Sequence, residues 1–437
     1  MCTSNLQIVT GLKEFLMKAA QNREVYCSKP SDFSRATVLT FPRVALALTN
    51  MMKRSLAVEL ADFFGVLGAD DQLCTKSAFS QARQKLKPVF FEDWNQYLCQ
   101  RFYQNNDQDL RRWNNFRLQG VDGTFINLVN NEQMQSYFGL HKNQYSGTCL
   151  AKAVVRYDVL NQIAVDAKIG PESKSENAYA LQSLDQVEQD VISIYDRNFP
   201  SYDFIYEHHI RGLHYLMRCK INQNSVVKKF VASGANSQIV NFKISKNALI
   251  SLANKGYEVT KTDCLQLRLV RVDLPSGQVE VLATSLLDPC YTPIHFQHLY
   301  HQRWGSETFF DRFKNQLQIE NFSGHTVLSV FQEFYALIFV HNLQSIIIEE
   351  CQEQVQQICS RRTKPYKVNR NVTLGLLKNR IVLLFVSEHP YIIWQELKTR
   401  FVSHLEQVKP NRHYPHKYKQ LNRRGKFRTQ QNYRRAI

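Results

Sequence analysis

The sequence predicts an α/β fold: a mixed sheet, interrupted by a β-rich insertion and flanked by helical N-terminal and C-terminal regions. Three observations lead there. From Phe116 the segments FRLQGVDGTFINL and LAKAVVRYDVLNQIAVDAKIG are rich in β-branched and aromatic residues, and the second breaks at Asp158–Asn161 as a hairpin does. Ser175–Asp190 then reads as a helix, VISIYDRNF as a strand and Phe204–Tyr206 as a further strand, an order that suits a mixed sheet. The chain has 437 residues with 44% hydrophobic and 12% aromatic content, which excludes wholesale disorder and leaves room for real cores.

Residues 1–112 read as helical. Within them Ser55–Leu67 is followed by TKSAFSQARQKLKP, where Thr75 can cap and Phe79, Ala82 and Leu86 form an apolar stripe. Lys76, Arg83, Lys85 and Lys87 are its basic residues. Two such helices can form a helix-turn-helix reader, with Arg83 and Lys85 facing a duplex, or an ordinary amphipathic pair with a solvated basic face. Residues 113–220 hold the first part of the α/β core. In 221–290 the pieces KKFVASG, QIVNFKI, QLRLVRVDL and GQVEVLATSLL read as short strands, with a hairpin at Pro275-Ser276-Gly277. Helix returns at Pro293–Leu317 and Val327–Glu349, so 291–350 reads as the second part of the core. Residues 351–408 read as a C-terminal helical region and 409–437 as a basic tail.

The charge points to a partner. Lys and Arg number 55 against 38 Asp and Glu, a formal +17, and Lys409–Ile437 holds ten Lys/Arg with no carboxylate. Such a chain favours polyanions, because neutralising phosphates releases condensed counterions. His413, Tyr414, Tyr418, Phe427 and Tyr433 interleave the tail's cations, as in non-specific nucleic-acid binders. Apolar runs such as Ile381–Val386 fall far short of the roughly 20 residues needed to span a bilayer. The opening MCTSNLQIVTGLKEF has no basic n-region before an apolar stretch, so no signal peptide and no membrane partner are expected. Ten cysteines stand singly without a CxxC pair, so neither a zinc ribbon nor a redox dithiol is signalled.

One segment carries chemistry: Tyr300-His-Gln-Arg303-Trp-Gly-Ser-Glu307-Thr-Phe-Phe-Asp-Arg-Phe-Lys314. On a helix, Tyr300, Arg303, Glu307 and Lys314 fall at roughly 0°, −60°, −20° and −40°, along roughly 21 Å of axis. A tyrosine, an arginine, a carboxylate and a lysine in one line suit metal and phosphate, with the cations clamping phosphate oxygens. An exposed i,i+4 ion pair between Arg303 and Glu307 is the alternative. Asp122, within the apolar strand GVDGT, and Asp196, ending VISIYD, are costly amid apolar residues unless paired or ligating a cation. A turn or cap role is the alternative for each, and Asp190 and Asp203 compete for the second position. Asp122, Asp196 and Glu307 together could hold two Mg²⁺ about 3.5–4 Å apart for in-line phosphoryl displacement.

The ungapped spacing of Tyr300, Arg303, Glu307 and Lys314 resembles the Y-R-E-K signature of DDE-class bacterial insertion-sequence transposases. The surroundings are similar too: Asp122-Gly123-Thr124 resembles the first-aspartate strand, and Asp196, Arg197 and Phe199 the second-aspartate motif. The 110 residues between Asp196 and Glu307 suit the family's β-rich insertion, and IENFSGHTV resembles the sequence after its lysine. The resemblance spans roughly residues 35–350. It implies an RNase H-like core with Asp122 and Asp196 on adjacent strands and Glu307 on a helix. It further implies cut-and-paste transposition with two Mg²⁺, or Mn²⁺ as substitute, held by those three residues. Tyr300, Arg303 and Lys314 would contact phosphates of double-stranded DNA at transposon ends, with residues 1–112 as a DNA-binding domain. A homodimer in the DNA complex and a bacterial cytoplasmic, nucleoid-associated location follow from the same resemblance. Ser306 departs from it, standing where the family usually has an apolar residue, as does Asn198 in a place often held by glycine. A catalytically inactive DNA-binding copy and a nuclease of the same fold are the alternatives.

Other histidines and aromatics do not add to the site. His295, His298 and His301 spread around a helix rather than along one face, and no cysteine or carboxylate joins them. His208 and His209 are adjacent and read as structural. Trp304, near the Glu307 face, is expected to pack against the core.

Overall fold

The computed structural model describes residues 4–408 apart from 70, 71, 73, 143–146, 275 and 276. The basic tail and the expected turn residues Pro275 and Ser276 lie outside the described residues.

The first 112 residues fold into α1 (Ser4–Gln21), α2 (Arg23–Tyr26), α3 (Phe41–Thr49), α4 (Leu56–Val66), α5 (Lys76–Arg83) and α6 (Val89–Asn105). Thr75 caps α5 as expected, its hydroxyl accepting from the Ala78 N–H at 3.1 Å. The outcome for Arg83 differs from expectation. Its guanidinium is buried, donating to Gln332 (3.0 Å) and Ser323 (2.9 Å) and pairing with Glu333 (3.2 Å) at the start of a core helix. It is therefore withdrawn from any DNA-facing surface, because burying a cation requires a paired carboxylate inside rather than a phosphate outside. Lys85 is exposed just past the helix end, its ammonium 5.8 Å from the Phe33 ring centroid.

The core begins with β1 (Arg117–Asn127), α7 (Glu132–Phe138), β2 (Leu140–Lys142), β3 (Gly147–Asp158) and β4 (Ile163–Pro171). It continues through α8 (Glu176–Ala180), β5 (Val191–Tyr195), α9 (Tyr202–His209) and β6 (His214–Cys219). The β3–β4 hairpin turns where expected: the Asp158 carboxylate accepts from the N–H groups of Leu160 (3.1 Å) and Asn161 (2.9 Å). β1, β3 and β4 are antiparallel, while β5 runs parallel to β1 and β6 parallel to β5. The resulting order β4-β3-β1-β5-β6 is that of an RNase H-like core.

Three segments fold differently from expectation. Phe204–Tyr206 lies in α9, whose first turn is capped by the Ser201 hydroxyl and which buries Phe204, Ile205 and His208 on one face. Ser175–Asp190 is helical only over α8 and a 3₁₀ stretch, Leu181–Gln186. The insertion is mixed rather than β-rich: α10 (Ser225–Ser233), β7 (Ser237–Lys243), α11 (Lys246–Asn254), β8 (Cys264–Asp273) and β9 (Val279–Thr284). KKFVASG forms the end of α10 and its Gly234 C-cap, because Asn224 caps the helix start and Val227 and Phe230 bury a helical stripe. β9 pairs with β6, so the sheet runs on as β6-β9-β8-β7 and the open edge of the core is covered.

Beyond the insertion come α12 (Pro293–Gln302), α13 (Trp304–Asn315) and α14 (Val327–Glu350). The C-terminal region follows as α15 (Gln352–Ser360), β10 (Tyr366–Val368), α16 (Arg370–Leu377), α17 (Arg380–Val386), α18 (Pro390–Ser403) and β11 (Leu405–Gln407). α14 is buried around nearly its whole circumference and ties the N-terminal helices to the sheet. Phe339 stacks on Trp94 of α6 at 3.9 Å, and the Asn342 carboxamide bonds the backbone N–H of Ala164 in β4 at 2.8 Å. Among the described residues no helix is long and apolar enough to cross a membrane.

Candidate active site

β1 is buried from Arg117 to Val121 and opens at Asp122, where the strand leaves the packed centre of the sheet. Val121 pairs with Tyr195 across the parallel β1–β5 ladder, so continuing that register by one residue sets Asp196 beside Asp122. Each aspartate accepts from N–H groups just after it in the chain. Asp122 accepts from the Gly123 N–H at 3.0 Å, and Asp196 from the backbone and side-chain N–H groups of Asn198 at 2.8 and 3.3 Å. Asn198, a departure from the resembling family, thus serves as a partner of Asp196.

α12 and α13 bring the remaining residues over β1. Arg303 joins the two helices in helical conformation (φ −53°, ψ −30°). The line from Tyr300 to Lys314 therefore continues through the junction. α13 approaches β1 closely: a Cβ on Gly120 would come within 2.2 Å of Ser306 Oγ. That proximity explains the other departure, since a larger apolar side chain at 306 would collide with the strand.

Arg303 is the centre of the arrangement. Its guanidinium lies 2.6 Å from Glu307 Oε1 and 3.5 Å from Asp122 Oδ2, and 5.7 Å from the Tyr300 ring centroid. It is only 9% exposed, and its Nε is buried without a hydrogen-bond partner. Glu307, by contrast, is half exposed. Burial raises the pKa of Asp122 to about 6, against the pull of Arg303 and the Gly123 N–H, while the charges of Asp196 and Glu307 push it further up. Asp196 and Glu307 are thus each close enough to repel Asp122. As the side chains stand, no three His, Cys, Asp or Glu groups among the described residues meet at one point. Glu307 is turned to the arginine instead.

The expected phosphate-contacting residues divide. Tyr300 is buried under Arg303, and burial raises its pKa. Lys314 is partly buried two turns beyond Glu307 on α13, and burial lowers its pKa, with Glu320 opposing. Trp304 is 49% exposed rather than packed in the core, its ring 5.2 Å from that of His301. Arg83 and Lys85 belong to the N-terminal helical region, where Arg83 is engaged by Glu333.

One residue at the site escapes a reading of the sequence. Glu176, at the start of α8, lays its carboxylate over Gly123, where a Cβ would come within 2.4 Å of Oε1. Burial raises its pKa and the charge of Asp196 adds to the rise. A glutamate after a capping serine reads as ordinary helix-start chemistry, and only the glycine in β1 hints that something must pass over the backbone.

Comparison with known proteins bears on this geometry. No curated protein matches the chain. Among solved structures, a cryo-EM piggyBac transposase synaptic complex with hairpin DNA aligns over 92% of this chain and 81% of its own, at 9% identity and a TM-score of 0.45. The model of the transposase DDE domain matches residues 117–343, from the first residue of β1 into α14. This stretch is more than half of the chain and contains Asp122, Asp196 and the whole of the Tyr300–Lys314 line. The chain belongs to the DDE-domain transposase family.

Proposed function

We propose that this transposase carries out cut-and-paste transposition, with Asp122, Asp196 and Glu307 as the ligands of two divalent ions at the cleavage site. The observation that carries the proposal is the seating of the Arg303 guanidinium between Asp122 and Glu307. A cation already stands where these carboxylates need one, and an all-oxygen donor set suits Mg²⁺, with Mn²⁺ as substitute. When bound, such ions activate a water or a 3′-hydroxyl and stabilise the leaving oxygen of an in-line displacement.

The chain's own groups supply the rest. Asp122 must be deprotonated to act, and its raised pKa makes that step sensitive to pH just below neutrality. Arg303, released from the carboxylates, is on the right face to take a non-bridging phosphate oxygen, and Lys314 extends the same line along the duplex. Tyr300 holds Arg303 from below. Double-stranded DNA at the element ends is the substrate, and a homodimer would bring two ends together. Lys85 and the basic tail would add sequence-independent phosphate contacts.

The test is cleavage of DNA carrying the element's own ends, in Mg²⁺ and in EDTA, with Asp122→Asn and Glu307→Gln alongside. Metal-dependent cuts at the element boundary, lost in both variants while DNA binding survives, are expected. Cleavage by Glu307→Gln at the wild-type rate would refute the ligand assignment. A supplied 3′-hydroxyl end separates a transposase, which yields covalent joint products, from a nuclease, which does not.

A further inference from the structure

On the flank of α13 turned away from Glu307, a cavity of about 470 Å³ opens between α13, α14 and the start of α16. Four cations line it, and two are neutralised: Arg111 pairs with Glu349, and Lys367 with Glu406 at 3.3 Å. The other two are not. Arg312 and Arg370 have no carboxylate in ion-pair contact among the described residues, and the one side-chain bond of Arg370 is to the Ser345 hydroxyl at 3.0 Å. Asp311, also at the rim, is engaged by Asn315 at 2.6 Å.

Two like charges placed together at a partly buried position are unfavourable unless an anion joins them. Their surroundings strengthen the point. Burial moves the pKa of Arg370 down to about 10, Tyr157 and Glu349 opposing and Arg312 and Arg111 reinforcing the shift. Behind the pocket the Tyr157 hydroxyl and His341 Nε2 are buried without hydrogen-bond partners, and Arg370 and Arg312 are the charges that act most on both rings. The N-terminus of α16 opens onto the same space, with Asn369 capping only the N–H groups of Asn371 and Val372. Cations, a helix N-terminus and a cavity large enough for a tetrahedral oxyanion converge, and among the described residues the carboxylate that acts on Arg370, Glu349, is in ion-pair contact with Arg111 rather than with either arginine.

We infer that this pocket is a phosphate-binding site, built by Arg312 and Arg370, on the side of the catalytic helix opposite the carboxylates. Its occupant is a phosphate group, either of a DNA backbone passing behind α13 or of a free phosphate or nucleotide.

The full-length protein is titrated with inorganic phosphate at constant ionic strength by calorimetry, beside Arg312→Gln/Arg370→Gln and the charge-retaining Arg312→Lys/Arg370→Lys. The basic tail binds phosphate equally in all three, so the difference isolates the pocket. The expected result is an affinity at least tenfold weaker in the glutamine variant and within threefold of wild type in the lysine variant. Equal affinity in wild type and glutamine variant overturns the inference. Duplex binding against salt then separates the sources. A slope reduced by about two in the glutamine variant assigns the pocket to backbone phosphates, at about 0.9 per contact. An unchanged slope with lost phosphate binding assigns it to a free ligand. Should the double variant fold poorly, Arg312→Gln alone, on the partly exposed flank of α13, gives the same readout with a smaller loss.

Discussion

Ser306 is packed against Gly120 so closely that a methyl group on the strand would come within 2.2 Å of the serine oxygen. The hydroxyl is buried and has no hydrogen-bond partner, so the side chain is retained for its size rather than its polarity. Ser306→Ala is therefore expected to leave the fold intact and to raise stability by up to about 1 kcal/mol, since an unsatisfied hydroxyl is removed. Gly120→Ala should do the opposite, shifting α13 off β1 and lowering cleavage at least tenfold while the far-ultraviolet spectrum is kept. Thermal melts and the cleavage assay read both. A Gly120→Ala protein with full activity would mean that the approach of α13 to β1 does not set the site.

Arg303 holds both Glu307 and Asp122, so a divalent ion and this guanidinium compete for the same oxygens. Arg303→Gln is expected to tighten Mn²⁺ binding in the absence of DNA while cleavage falls by at least a hundredfold, because the phosphate clamp is lost with the competitor. Electron paramagnetic resonance of free Mn²⁺ measures the first effect and the cleavage assay the second. Arg303→Lys keeps the charge and should leave Mn²⁺ affinity closer to wild type. Equal or weaker Mn²⁺ binding by the glutamine variant would show that the arginine does not stand in for the cation.

How far the sequence could be read depended on the range of the interactions. The contact of Arg303 with Glu307 was legible because the line from Tyr300 to Lys314 is local, and a local spacing survives folding. The mixed sheet followed from the succession of strand, hairpin, helix and strand, and its RNase H-like order from the family resemblance, although Phe204–Tyr206 and KKFVASG were misread: short apolar stretches fit either period, and the caps at Ser201 and Asn224 decide them. Arg83 was not legible at all. Helical periodicity sets it among basic residues on an apparent surface, and the partner that draws it inside, Glu333, lies 250 residues away.

That buried pair gives a sharp expectation. Arg83→Met removes the cation that Glu333 faces in the interior, and should cost ~3–5 kcal/mol of stability. Arg83→Met with Glu333→Leu should recover much of the loss, since two apolar side chains replace a desolvated pair. Urea denaturation of the three proteins measures it. DNA affinity of the folded double variant is expected to match wild type within twofold. A marked fall in affinity without loss of stability would return Arg83 to the DNA-binding surface.

His208 makes the core of the sheet sensitive to acid. The ring is fully buried; Nδ1 faces the Phe204 carbonyl at 2.8 Å and so carries the proton, leaving Nε2 to accept from the Tyr195 hydroxyl at 2.9 Å. Burial lowers its pKa from 6.5 to about 3, with Arg156 and Arg211 adding to the fall and the Phe204 carbonyl opposing it. The native state therefore keeps the ring neutral where the unfolded chain takes up a proton. The stability this contributes is complete above pH 6.5 and is lost as pH falls toward 3, at up to about 1.4 kcal/mol per pH unit. His208→Gln keeps an acceptor for Tyr195 but cannot titrate. Its unfolding free energy should be lower than wild type at pH 7.5 and should decline less steeply between pH 6 and 4, as followed by urea midpoints. Parallel decline in the two proteins would place the acid sensitivity elsewhere, with the buried Asp158, whose pKa is raised, as the first group to exclude: its shift has the opposite sign and stabilises the native state as pH falls.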